Sequence, residues 1–436
     1  MTRHLRHPLA LLLQLTVLGA LVGLACWPLN RIDQWQDSLL ALLPGFSDRP
    51  WTLSSVLVAA SPLVVMPLLL RLQSGRLRSG AGSGIPQTML SLEHPERAAV
   101  LLGPVATIAR LALWTAASLA LFPLGREGPV VQVGATVAHA LRQRFPRWLP
   151  ALSNNQVLAI GAGSGLAGGF NSPLMGLVFV MEELTGRFQL TVIWPGAIVC
   201  VAAALVSNLG GIGLFPLGLT NALVPEPVQL LWALPLGIGG GLLGGQFARL
   251  LVASTAWLKP RVARQPVAWG LLLGAGLAAL ALLSGGWSGG DGEALMRHML
   301  AGSPPQPVPG SPLGALGWVL VIGARLVAPV LALAAGVPGG LIDPAFSLGA
   351  VFGSGLLELL GGSSALGLAL GMAAGLAGAT QLPLTTVLFA MRMAGDSQWL
   401  WGLLLSAVLG AYVGRSLQAK PVYHALTEIG EAPSPS

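Results

Sequence analysis

Long apolar stretches separated by short polar breaks run the length of the chain, and they are too long to be strands. Apolar blocks fall near 8–27, 52–71, 98–124, 129–142, 157–182, 190–216, 228–252, 267–285, 312–335, 344–361, 365–393 and 399–416. No Asp, Glu, Lys or Arg occurs from 188 to 225, or from 359 to 391. A crossing takes about 20 apolar residues, so each of those runs holds at least one span. Lipid leaves every backbone polar group to be satisfied internally, and runs of this length predict helices. The pattern therefore gives an all-α polytopic membrane protein. Glycine and proline recur inside the apolar blocks, 59 and 33 of them in 436 residues. They predict many short or broken helices, with the unwound backbone lining a cavity or buried in protein.

Composition sharpens this picture. Charged residues make up 9% of the chain, against about 25% in a soluble domain. The net charge is +7, but no basic run with interleaved aromatics suggests a nucleic-acid partner. Arg3 and Arg6 precede the first block, and Arg71, Arg76 and Arg78 follow the second. Read as positive-inside bias, both clusters are cytoplasmic, in a bacterial inner membrane, with both termini on that side. Block 8–27 exceeds the roughly 7–15 residues of a signal-peptide core and lacks a small-x-small cleavage site, so it reads as a retained helix. Cys26 and Cys200 lie in apolar text, and the six histidines show no ligand spacing. No metal or cofactor is expected. A membrane-embedded enzyme would need a nucleophile, metal or base cluster, and none is visible.

The two halves resemble each other. GLAGGFNSPLMGLVF at 165–179 and GLAGATQLPLTTVLF at 375–389 share seven identities at an offset of 210. GREGPVVQVGA at 125–135 matches GLIDPAFSLGA at 340–350 in Gly, Pro, Gly and Ala at an offset of 215. This predicts a cytoplasmic N-terminus over 1–7, one repeat over 8–216, a linker over 217–227, a second repeat over 228–417 and a tail over 418–436 that carries Tyr423. An odd number of crossings in each repeat would invert the second, so that matching motifs meet near the midplane.

Within those motifs, Gly128-Pro129 and Asp343-Pro344 read as helix starts, since proline suits the first turn. A helix N-terminus offers free N–H groups and about half a positive charge, and so holds anions. Two such ends would bind an anion without a fixed cation, weakly enough to release it. Ser83, in GSGIPQ at 82–87, adds a hydroxyl before Pro86. In the repeat, Glu127 aligns with Ile342, Glu182 with Arg392 and Glu183 with Met393. The scaffold is duplicated and the carboxylates are not, which favours specific chemistry for them. Glu182 reads as a solvated helix end near Arg187. Arg126 reads as structural, paired with carbonyls or a carboxylate. Arg110, deep in a span, is a candidate for shaping the field around the anion.

GSGIP at 82–86, GREGPVVQ at 125–132, FNSPLMGLVFVMEEL at 170–184, GVPGGLIDP at 336–344 and KPVYHA at 420–425 resemble, in order, the signatures of the CLC family of chloride channels and proton/chloride exchangers. The resemblance spans nearly the whole chain. It implies that Ser83 and Tyr423 donate hydroxyls to a central chloride, with the backbone N–H groups of Leu341 and Ile342 contributing. It implies that Glu127 is the gate and Glu183 the internal proton-transfer residue. Gly84, Arg126, Gly128, Pro129, Arg110 and Gly340 support the site. It further implies a homodimer in the bilayer with one pore per subunit, exchanging chloride for protons without enzymatic activity. A passive chloride channel of the same fold is the alternative, though channels commonly lack the internal glutamate; a fluoride/proton exchanger fits GSGIP and Tyr423 less well. Three departures stand out. Ile342 replaces the usual aromatic, Gln87 replaces an acidic residue, and Asp343 puts a carboxylate beside the proposed donors; as a residue before proline it is expected to cap its own helix. The 13 residues after Tyr423 leave no room for paired cytosolic regulatory domains.

Overall fold

The computed structural model describes residues 2–47, 49–209, 225–301, 314–394 and 397–431. Those residues are helical throughout, apart from short connections. Eight of the described helices are long and apolar enough to cross a membrane, or nine if a pair bent by 52° at 101–104 counts as one span. The protein is an integral, multi-pass membrane protein. The expected linker residues 217–224 lie outside the described residues.

Glycine and proline break the apolar blocks where the pattern indicated. Block 52–71 splits into Leu53–Ala59 and Pro62–Ser74. Block 157–182 splits into Asn154–Phe170 and Pro173–Phe179, and block 365–393 into Ser364–Thr380 and Pro383–Ala394. Two helices run contrary to the expectation of short pieces. Thr2–Leu40 has 39 residues and Ala233–Arg264 has 32. The first continues past residue 27, through the polar text RIDQWQDS, because one side of that text, centred on the buried Gln36, is satisfied by protein partners. Gln36 Nε2 donates to both the carbonyl and the hydroxyl of Ser118, each at 2.9 Å, and Asp33 pairs with Arg126.

The duplication is visible in packing as well as sequence. Helix Glu127–Arg144 packs on Asn154–Phe170, as Ile342–Leu359 packs on Ser364–Thr380. The long helix of each half lies against the last: Thr2–Leu40 on Leu190–Ser207, and Ala233–Arg264 on Leu400–Leu417. Asn154–Phe170 and Ser364–Thr380 are both capped by serine. Ser153 Oγ accepts from the Gln156 amide at 3.2 Å, and Ser363 Oγ from the Leu366 amide at 3.3 Å. Both end on a left-handed residue, Asn171 (φ 47°) and Gln381 (φ 60°), two residues before a proline. The close approach uses the same glycines in each half. A Cβ at Gly134 would overlap the Gly161 carbonyl, and one at Gly349 would overlap the Gly371 carbonyl.

The halves meet at their motifs. The Gly125 amide donates to the Gly340 carbonyl at 3.0 Å, and the Gly340 amide to the Gly125 carbonyl at 2.8 Å. This is an isolated antiparallel bridge between repeat-equivalent glycines. Equivalent residues that exchange both bonds in antiparallel sense place a local two-fold axis between them. The second repeat is therefore inverted relative to the first at this point, as an odd number of crossings in each repeat would require.

Candidate anion site

Three helix starts converge around the glycine bridge. Helix Ile85–Glu93 begins after Gly84, whose φ of 116° is open to glycine and strained for other residues. The Gly84 amide donates to Gln87 Oε1 at 2.8 Å, so Gln87 closes the turn at the start of this helix. A Cβ at Gly84 would overlap the Gly128 carbonyl, and one at Gly128 the Ser83 backbone. The Ser83 loop thus lies directly on the Glu127 loop. Arg110, buried within helix Pro104–Leu119, fixes that loop from behind. Its Nε donates to the Gly82 carbonyl at 3.0 Å and its Nη2 to the Ala81 carbonyl at 2.9 Å, while Nη1 pairs with Gln132. Its donors are directed at carbonyls, which makes it a positioning group for Ser83.

Glu127 opens helix Glu127–Arg144 and is fully buried. Its Oε1 accepts from the Asp343 amide, in the first turn of helix Ile342–Leu359, at 2.5 Å. Its Oε2 lies where a Cβ of Gly340 or Gly125 would fall, and has no hydrogen-bond partner within the protein. The carboxylate therefore fills the space between the two bridged glycines and takes a donor from the opposite half. Leu341 and Ile342 are buried at the same helix start. First-turn amides have no intrahelical acceptor, so this end presents several N–H groups together.

Two hydroxyls face the same region without partners. Ser83 Oγ and Tyr423 Oη are buried, and neither makes a hydrogen bond within the protein. Tyr423 is fully buried on helix Val422–Glu431, within electrostatic reach of Glu127, Glu183 and Asp343. Leaving a buried donor unsatisfied costs about 1–3 kcal/mol. Two such donors beside amides at helix starts fit an anion.

Glu183 lies in a π-helical turn, Val180–Leu184, that extends helix Pro173–Phe179. It is 6% exposed, and its Oε1 has no hydrogen-bond partner. Glu182 is not a solvated end paired with Arg187. It caps a helix of the other half, accepting from the Leu384 amide at 3.0 Å, the Thr385 amide at 2.7 Å and the Thr385 hydroxyl at 2.7 Å. Its repeat equivalent, Arg392, does the converse, its Nε donating to the Asn171 carbonyl at 3.3 Å. A negative group thus meets a helix N-terminus and a positive group a helix C-terminus, as the macrodipole favours.

Asp343 does not cap its helix. Leu341 occupies the cap position and makes no side-chain cap bond. Asp343 is in the first turn, 3% exposed, with Oδ2 unpartnered. The expected self-cap fails because the helix begins two residues earlier than Asp-Pro suggests. Arg126 ion-pairs with Asp33 and lies 4.9 Å over the Phe170 ring. Behind that pair, Asp33, Asp291 and Glu293 place carboxylate oxygens within 4.8 Å of one another. Asp291 is already used, accepting from the Glu293 amide at 2.9 Å.

Sequence reading missed Arg325. It is buried, with Nη1 donating to the Gly290 carbonyl and Nη2 to the Gly289 carbonyl, both at 2.9 Å. The signal was present: Ala-Arg-Leu at 109–111 recurs at 324–326, at the 215 offset already in hand. The supported loops correspond too. Gly-Ser-Gly at 82–84 matches Gly-Asp-Gly at 290–292, and Gly84 and Gly292 have φ of 116° and 113°.

The comparisons agree with this geometry. The profile described as "Voltage gated chloride channel" matches residues 63–415. An H(+)/Cl(-) exchange transporter ClcA from Salmonella arizonae is 27% identical, over 96% of this chain and 88% of its own. One of the same description from Klebsiella pneumoniae is 28% identical, over 97% and 89%. A slow cyanobacterial Cl-/H+ antiporter superposes with a TM-score of 0.74 at 23% identity, covering 97% of this chain and 98% of that one. A CLC-type fluoride/proton antiporter superposes equally, at 0.74 and 24% identity, over 93% and 95%. The profile match covers most of the sequence, and the motifs that carry it are the ones that converge on the glycine bridge; the chain belongs to the voltage-gated chloride channel (CLC) family.

Proposed function

We propose that this protein exchanges chloride for protons across a membrane, with Glu127 as the gate and Glu183 as a second proton station. The observation that carries the reading is the seat of Glu127. A buried carboxylate, held by a helix-start amide of the opposite half, occupies the kind of site that would hold a halide. Chloride and the ionised side chain compete for the amides at 341–343, with the hydroxyls of Ser83 and Tyr423 completing the site for chloride. Protonation removes the carboxylate's charge and its advantage at the helix start, so the side chain leaves and chloride enters. Each proton taken up is thereby linked to an anion movement. Glu183 supports exchange over passive conduction, because a channel has no use for a buried acid away from the gate. Chloride is preferred over fluoride as the substrate because the relatives at 27% and 28% identity are H(+)/Cl(-) exchange transporters, against 24% for the fluoride/proton antiporter. By the same family likeness the protein acts as a homodimer with one pore per subunit, in a bacterial inner membrane with both termini cytoplasmic. Apolar residues such as Trp194 and Trp401, on the outer faces of repeat-equivalent helices, suit lipid or a second copy.

The test is flux in liposomes containing the purified protein. With a chloride gradient imposed, the unmodified protein should move protons uphill. Glu127→Gln should carry chloride without protons and without pH dependence. Glu183→Gln should stop protons while chloride continues. A chloride flux from the unmodified protein with no accompanying proton movement would establish the passive channel instead.

A further inference from the structure

Glu183 is buried, so protons must reach it through some other group or through water. A partly exposed imidazole approaches it. His424 follows Tyr423 directly on helix Val422–Glu431. Its Nε2 is 3.9 Å from Glu183 Oε1, and the two side chains are 40% and 3% exposed. Glu183 Oε1 has no hydrogen-bond partner. Among the described residues no other basic side chain pairs with Glu183. Its neighbour Glu182 is committed to the amides of Leu384 and Thr385 and to the Thr385 hydroxyl. The remaining charges near this helix are also engaged: Lys420 pairs with Glu428, and Lys259 donates to the Ile429 carbonyl.

We propose that His424 is the proton-transfer side chain that connects Glu183 with water on the face carrying the C-terminal tail. This rests on the exchange reading. A protonated imidazole gives the proton on Nε2 to the Glu183 carboxylate, leaving a neutral ring and a carboxylic acid. The ring then takes a proton from water at its exposed edge. Release runs in reverse. A separation of 3.9 Å is closed by a small side-chain rotation or one bridging water. Imidazole suits the task because one ring nitrogen can accept a proton while the other donates one. Placing it beside Tyr423 joins the proton entry and the anion site on one short helix.

The experiment compares His424→Ala, His424→Gln and the unmodified protein in liposomes, following chloride and proton flux together. A positioned acid–base group is worth about a hundredfold or more. Water can substitute in part at a half-exposed site, so proton flux should fall about tenfold in both variants while chloride flux persists. Free imidazole, added on the tail side, should restore proton flux to His424→Ala. Persisting chloride flux also shows that the variants fold. Unchanged proton flux in both variants, with coupling intact in the unmodified protein, overturns the role of His424 and leaves the exchange reading standing. So does a loss of proton flux that imidazole does not repair, because a packing role has no such remedy. If the unmodified protein moves no protons, the exchange reading falls and this inference with it.

Discussion

Gly340→Ala tests the seat of the gate without altering any titratable group. Gly340 has no positive φ, so alanine strains no backbone there. Its Cβ would overlap Glu127 Oε2, the far end of a flexible side chain, and so the carboxylate would yield before the backbone does. In yielding it loses the Asp343 amide, now at 2.5 Å. A hydrogen bond to a charged group contributes about 1.5–3 kcal/mol, and about 1.4 kcal/mol is tenfold in an equilibrium constant. Occupancy of the seat should then fall roughly ten- to hundredfold. The methyl group also narrows the space left for the anion, so the absolute chloride rate should fall, and the ratio of fluxes is the informative quantity. We expect the proton-to-chloride ratio to drop and the pH dependence of chloride flux to flatten, towards the behaviour of Glu127→Gln. Gly323→Ala is the control, since nothing lies within 4 Å of a Cβ there. If Gly340→Ala still carries chloride with the ratio and pH profile of the unmodified protein, the carboxylate's position between the glycines is unrelated to gating.

Two further substitutions separate binding from folding. Tyr423→Phe removes a hydroxyl that has no partner in the protein; chloride affinity by titration calorimetry should weaken roughly tenfold, the equivalent of about 1.4 kcal/mol, with the unfolding temperature nearly unchanged. An unaltered affinity would show that the hydroxyl is no ligand. Glu182→Ala removes the cap that joins the halves; by analogy with other lost caps it should cost about 1–2 kcal/mol of stability, read as a lower unfolding temperature in detergent, while the proton-to-chloride ratio stays the same. A changed ratio at full stability would place Glu182 in the proton path instead.

Much of this was legible in the sequence, and the boundary has a physical cause. Apolar run length indicated helices and glycine–proline pairs indicated breaks, because both are local properties of the backbone. The 210 and 215 offsets indicated duplication, and the position of GREGP named Glu127. What escaped were partnerships across the chain. Asp33 lies in polar text that reads as the end of a span, yet it continues the helix because Arg126, 93 residues away, takes its charge. Glu182 reads as a surface acid until helix Pro383–Ala394 is brought to it. Asp343 reads as a cap because Asp-Pro usually is one; the opposing half, by placing Glu127 on its amide, gives that stretch of backbone another use. Arg325 is different, being readable from the repeat but only if the second copy is searched as carefully as the first.

The paired amides of Gly125 and Gly340 set a mechanical limit. A carrier that works by tilting one half away from the other must open its seam on each cycle. Here the seam is stitched at the symmetry axis, beside the Glu127 carboxylate, by two bonds of 3.0 and 2.8 Å. Parting it would strand both pairs of polar atoms in a dry interior. The gating proposed for Glu127 avoids that cost, because a pivoting carboxyl leaves both bonds of the stitch in place while a single side chain swings.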